Sequence, residues 1–119
     1  MKVSFDQAES DPLPLSFSPL EVTMIIDNIL DNAARANAKE LRIKAKSDEN
    51  YMDLLFMNNG NPLTSEYRHK DLFTYGVTVT GGSGIGLAQV RRVSNNLEAS
   101  ASIYETPKGK VVVRLRWEK

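Results

Sequence analysis

Asn28-Ile29-Leu30-Asp31-Asn32-Ala33 lies within a stretch whose apolar residues, Val22, Ile25, Ile26, Ile29, Leu30 and Ala33, recur at the i, i+3, i+4, i+7 spacing of one buried helical face. Just upstream, Ser18-Pro19-Leu20-Glu21 supplies a serine N-cap, a proline at the first helical position and a glutamate that completes a capping box. The pattern predicts a helix from that cap, fading near Asn37. Asn28, Asn32 and Arg35 stand at i, i+4 and i+7 beside the apolar face. Asn28 and Asn32 are separated by about 40° around the helix, and Asn32 lies about 20° from Ile25 at the edge of the stripe. Asparagine is a mediocre helix former, so two at a core margin need a reason. One reason is a solvated flank or a tether to a loop. The other is a carboxamide oxygen for a hard cation, with a guanidinium for the phosphates that the cation bridges.

Outward from this helix, residues 41–46 alternate apolar and polar as a half-buried strand should. A turn at 47–50 leads into a strand at 51–57, antiparallel to the first, and 58–62 is a loop. Residues 66–73 read as a short helical turn, and 74–83 as a segment with glycines at both ends. A second helix is expected from near Gly84 to Asn96, burying Leu87, Val90 and Val93. Strands at 99–105 and 110–117 are joined by the turn Thr106-Pro107-Lys108-Gly109. Residues 1–5 fit a short edge strand, and two prolines make 6–14 a connector. The mixed order predicts an α/β (α+β) fold: a two-layer sandwich whose mixed, mainly antiparallel sheet is covered on one face by helices.

With 119 residues, the chain has room for a single domain spanning 1–119. It reads as a piece of a longer protein. Fifteen basic and fifteen acidic residues cancel, which argues against nucleic-acid binding driven by bulk charge. There is no cysteine, so disulfides, thiol nucleophiles and thiolate-ligated metals are excluded. His69 is the only histidine, which excludes a two-histidine metal site. It lies in the polar run Tyr67-Arg68-His69-Lys70-Asp71 and reads as a surface loop residue. No secretory leader and no long apolar run is visible, so the expectation is a cytoplasmic domain that makes no membrane contact.

Two glycine-bearing loops add chemistry. Asn58-Asn59-Gly60-Asn61-Pro62 directly follows a predicted strand. It is a turn by composition, yet its glycine also lets a backbone approach a flat ligand, and Asn58 can hydrogen-bond a base edge. Gly81-Gly82-Ser83-Gly84-Ile85-Gly86-Leu87 runs into the second helix. Backbone N–H groups exposed ahead of a helix suit phosphate oxygens, while the same glycines also make a hinge. No Gly-Lys-Ser/Thr closes it, so it is not a P-loop, and no βαβ unit surrounds it as a dinucleotide fingerprint requires.

In combination the stretches are specific. Asn28 to Ala33, Asn58-Asn59-Gly60, Leu72-Phe73 and Gly82-Ser83-Gly84-Ile85-Gly86-Leu87 resemble, in order, the N, G1, F and G2 boxes of the GHKL ATP-binding (Bergerat) fold. That family embraces sensor histidine kinases, type II topoisomerases, Hsp90 and mismatch-repair MutL. The resemblance runs from about Pro19 to Trp117 and is greatest to the catalytic ATP-binding domain of sensor histidine kinases.

The resemblance implies roles position by position. Asn32 would ligate the Mg2+ that bridges the phosphates of ATP, and Arg35 would be a basic phosphate contact. Asn28 stands where the hydrolysing branches carry a glutamate that activates water. An amide has no basic lone pair at neutral pH, so Asn28 favours phosphoryl transfer to a protein acceptor over hydrolysis. The segment between Phe73 and Gly82 would be the ATP lid, hinged at Gly76 and Gly81-Gly82. Backbone amides from Gly82, Ser83, Gly84, Ile85, Gly86 and Leu87 would hold the phosphates. Asn58 replaces the aspartate that accepts from the adenine amino group, Gly60 flanks the base, and Pro62 stands where a second glycine is usual. The implied partners are histidine-containing dimerisation helices outside this chain and a downstream response regulator. A regulatory module of the same fold, with weak or no nucleotide binding, and a serine kinase of the anti-sigma-factor type are the alternatives.

Overall fold

The computed structural model describes residues 1–7, 19–61 and 86–118. The order is β1 (Lys2–Gln7), α1 (Pro19–Arg35), β2 (Glu40–Ser47), β3 (Tyr51–Asn58), α2 (Gly86–Asn96), β4 (Ser100–Glu105) and β5 (Val111–Glu118). The five strands form one sheet in the order β1-β2-β3-β5-β4. β1 pairs parallel to β2, and every other pairing is antiparallel. The fold is therefore the mixed-sheet sandwich expected from the sequence. The edge strand is longer than expected: Asp6 and Gln7, read as connector, pair with Lys44 and Ala45. The short helical turn at 66–73, the glycine-bounded segment at 74–83 and the Ser18 cap lie outside the described residues.

Strand alternation sorts the sheet into two faces. Leu41 and Ile43 of β2, Met52 and Phe56 of β3, and Val113, Leu115 and Trp117 of β5 all point to the helical side and are buried. Ile25, Ile29 and Ala33 of α1 and Leu87, Val90 and Val93 of α2 close over them in one apolar cluster. Ile26 and Leu30 are half-buried at its margin. Each large aliphatic or aromatic side chain in that cluster contributes about 1.5–3 kcal/mol through burial, so this layer dominates stability.

The opposite face is polar at its rim. The Asp53 carboxylate accepts two hydrogen bonds from Arg116, at 2.7 and 2.8 Å, from the strand position directly across. The same guanidinium stacks over the Tyr51 ring at 4.3 Å. Val112 is fully buried on this face, between its cross-strand neighbours Met57 and Tyr104.

Both helices end in the same way. Asn37 and Glu98 have positive φ values of 62° and 63°. At α1, Ala38 N donates to Ala33 O and Asn37 N to Ala34 O; at α2, Ala99 N donates to Ser94 O and Glu98 N to Asn95 O. These are Schellman closures, in which a left-handed residue turns the chain back onto the last free carbonyls. α1 thus stops at Arg35, two residues short of the expected end, and the chain reverses directly into β2.

Candidate nucleotide site on the helical face

α1 and α2 pack against each other across the helical face. Asn28 and Asn32 sit on the flank of α1 and are half-buried. The Asn28 Nδ2 donates to Met24 O at 2.8 Å and, across to α2, to Gln89 Oε1 at 3.1 Å. The N-box asparagine is therefore tied to the helix that follows the glycine-rich run. One turn on, the Asn32 carboxamide has no hydrogen bond among the described residues. A half-buried carboxamide oxygen without a partner among the described residues is a donor that a hard cation can take. Among the described residues no group of three or more His, Asp or Glu side chains gathers to hold a metal. Mg2+ bound through one or two protein oxygens, with phosphate oxygens and water completing the shell, fits this donor set.

Arg35 stands on the exposed end of the stripe. Its Nε donates to Asp31 Oδ2 at 2.9 Å, one turn back along α1. With both partners about half exposed or more, this pair is worth only about 0.3–0.5 kcal/mol, so a phosphate can take the guanidinium from Asp31 at little cost.

The loop after β3 is built by its own asparagines. Asn58 is buried, and its Oδ1 accepts from Gly60 N at 2.9 Å, an Asx turn that leaves the side-chain nitrogen as the remaining donor. The Asn59 Oδ1 accepts from Lys39 N and Glu40 N, at 2.9 and 3.0 Å. Asn61 N donates to Ala36 O at 2.7 Å, just past the end of α1. Gly60 presses against the same carbonyl: a Cβ there would lie 2.6 Å from Ala36 O and 3.0 Å from Ala36 Cβ. The close approach that only glycine allows is thus made to the end of α1. By these contacts the loop that carries Asn58 and Gly60 is anchored at Ala36, directly after the helix that carries Asn32.

Phe73, Gly76, Gly82, Ser83, Gly84 and Ile85 lie outside the described residues, as do Pro62 and His69. Gly86 opens α2, and Leu87 is buried in the core. Gln89 and Asn59 carry contacts that the sequence reading did not assign. Gln89 follows Leu87 at the edge of a helix whose buried positions are Leu87, Val90 and Val93, so a polar residue beside that stripe was the available signal.

The comparisons with known proteins decide the family. Residues 18–119 match the family described as histidine kinase-, DNA gyrase B- and HSP90-like ATPases. The chain belongs to this family. Its fold is similar to that of the mycobacterial sensor histidine kinase MprB, with a TM-score of 0.77 over 98% of this chain and 80% of that one, at 17% identity. It is likewise similar to full-length ShkA, solved in complex with AMPPNP, with a TM-score of 0.74 at 19% identity, covering 97% of this chain and 25% of that one. The nitrogen regulation protein NtrY of Azorhizobium caulinodans is 26% identical over 118 residues, 92% of this chain. The chain spans 15% of that relative's length. No helix among the described residues is long and apolar enough to cross a membrane.

Proposed function

We propose that this chain is the ATP-binding catalytic domain of a sensor histidine kinase, a cytoplasmic domain of a longer protein. It binds ATP with Mg2+ and passes the γ-phosphoryl group to a histidine on dimerisation helices outside this chain, from which a response regulator is phosphorylated in turn. Family membership supports ATP as the ligand. The observation that carries the reading is the pair of carboxamides on α1, with Asn28 bonded across to α2 and Asn32 without a partner among the described residues. In this assignment Asn32 ligates Mg2+, and bound Mg2+ neutralises charge on the phosphate oxygens. Arg35 exchanges Asp31 for a phosphate oxygen. The amides of Gly82, Ser83, Gly84, Ile85, Gly86 and Leu87 hold the triphosphate, and the lid runs between Phe73, itself a nucleotide contact, and Gly82, with Gly76 as a hinge. Asn58 and Gly60 flank the base.

The Asn28 amide cannot remove a proton from water, so its role is positioning. The acceptor imidazole nitrogen forms its bond to phosphorus as the bond to the ADP oxygen breaks, and the other ring nitrogen gives up its proton to water. Incubation with Mg–ATP and a histidine-bearing helical domain should yield an acid-labile phosphoprotein with negligible steady-state release of phosphate. Rapid hydrolysis contradicts this reading, and an acid-stable phosphoserine product redirects it to the anti-sigma-factor type of kinase.

A second reading, a non-catalytic module of the same fold, is favoured by the Asn58 oxygen already engaged by Gly60 N and by Arg35 engaged by Asp31. Calorimetry with Mg–ATP separates the two.

A further inference from the structure

We infer that Gln89 is a positioning residue of the phosphate end of the site, acting through Asn28; the inference rests on the reading of the site given above. A primary amide offers two N–H donors on one side and an oxygen acceptor on the other, and the partners decide which way it points. Met24 O is a carbonyl and only accepts, so the Asn28 nitrogen must face it, at 2.8 Å. Gln89 Oε1 takes the second proton at 3.1 Å. Both Asn28 donors are thereby committed, and its oxygen is left turned away from them. Without Gln89 a single bond to Met24 remains, and the carboxamide regains rotational freedom about its side-chain torsions.

The bond also joins two elements that the chain separates by sixty-one positions. Gln89 lies in the first turn of α2, directly after the glycine-rich run, and Asn28 lies one turn before Asn32 on α1. A change in the angle between α1 and α2 therefore breaks or forms it. Gln89 itself need not touch the ligand. Its buried neighbours Leu87 and Val90 hold the backbone of that turn, which leaves the glutamine side chain as the adjustable part.

The test is a double-mutant cycle read by calorimetry with Mg–ATP, using the wild-type chain, Gln89→Leu, Asn28→Ala and the pair together. The predicted result is a loss of up to roughly tenfold in affinity for Gln89→Leu, the scale of one net hydrogen bond, and no further loss when Gln89→Leu is added to Asn28→Ala. Equal affinity of wild type and Gln89→Leu overturns the inference and leaves the site assignment standing. An equal loss in both backgrounds overturns it too, because Gln89 would then act on the nucleotide directly. Absence of heat from the wild type removes the site assignment first, and the inference with it. Nucleotide-free NMR of the 15N-labelled wild type gives a readout independent of ligand and of whether any variant folds. The Asn28 side-chain N–H pair should be protected from solvent exchange, and exchange as fast as that of an exposed amide overturns the inference.

Discussion

At the residue scale, the loop after β3 separates two uses of a glycine. Gly60 has no room for a side chain, because a Cβ would meet the Ala36 carbonyl oxygen at 2.6 Å. Gly60→Ala should therefore lower unfolding free energy by about 1–3 kcal/mol, the cost of forcing an extra carbon into packed backbone. Urea unfolding measures it, and an unchanged midpoint would show that the loop does not bear on α1. Asn58 poses a question of chemistry. Its oxygen is taken by Gly60 N, so Asn58→Asp keeps that turn with one carboxylate oxygen and offers the other to an adenine amino group. ATP affinity should rise about fivefold, the equivalent of the about 1 kcal/mol gained when an acceptor replaces the side-chain nitrogen facing that amino group. The sequence showed Asn58 and Gly60 as a turn and a potential base site at once. The contact between Gly60 and Ala36 was not legible, because nothing in a linear pattern states that the end of α1 and the end of β3 meet.

At the element scale, the helix ends carry the clearest stability prediction. Glu98 holds a left-handed φ of 63° at the C-terminus of α2, a conformation that costs an L side chain about 1–2 kcal/mol and glycine nothing. Glu98→Gly should stabilise the chain by about 1 kcal/mol in urea, less the entropy that glycine adds to the unfolded chain. A loss of stability would mean that the closure of α2 does not depend on that turn. The helices themselves were legible, because Ile25, Ile29 and Ala33, and then Leu87, Val90 and Val93, repeat with helical spacing and are the residues found buried. The pair between Asp53 and Arg116 was not, since register across a sheet depends on where neighbouring strands start. The Asp53 carboxylate hydrogen-bonds the Arg116 guanidinium and raises it above its already high value. A raised cation stabilises the fold at every pH below its ordinary value, and the effect fades only as pH climbs through the raised one. The destabilisation caused by Asp53→Asn should therefore be the same at about pH 7 and about pH 8.5. A deficit that vanishes by the higher pH would place the loss of charge on Arg116 far lower than this geometry implies.

At the scale of the whole molecule, the described helices lie on one face of the sheet, and the proposed nucleotide site falls between α1, α2 and the loop after β3. Asn28 and Asn32 are carried by α1, and Gly60, which donates to Asn58, packs against Ala36 directly after that helix. The order of the four boxes was readable from sequence because each has its own residue types. The way Gln89 bonds Asn28 across helices was hidden, because a contact over sixty-one positions leaves no local trace. The proposed function turns on Asn32, one turn beyond this bridge, bringing Mg2+ and ATP to the helical face. Isothermal calorimetry of the chain with ATP tests it most directly. Binding is expected at or below roughly millimolar ATP when Mg2+ is present, with affinity falling sharply on removal of Mg2+ by EDTA and little Mg2+ dependence left in Asn32→Ala, the pattern of an ion shared by one protein oxygen and the phosphates. No heat from the wild type at millimolar Mg–ATP, or equal Mg2+ dependence in wild type and Asn32→Ala, would contradict it.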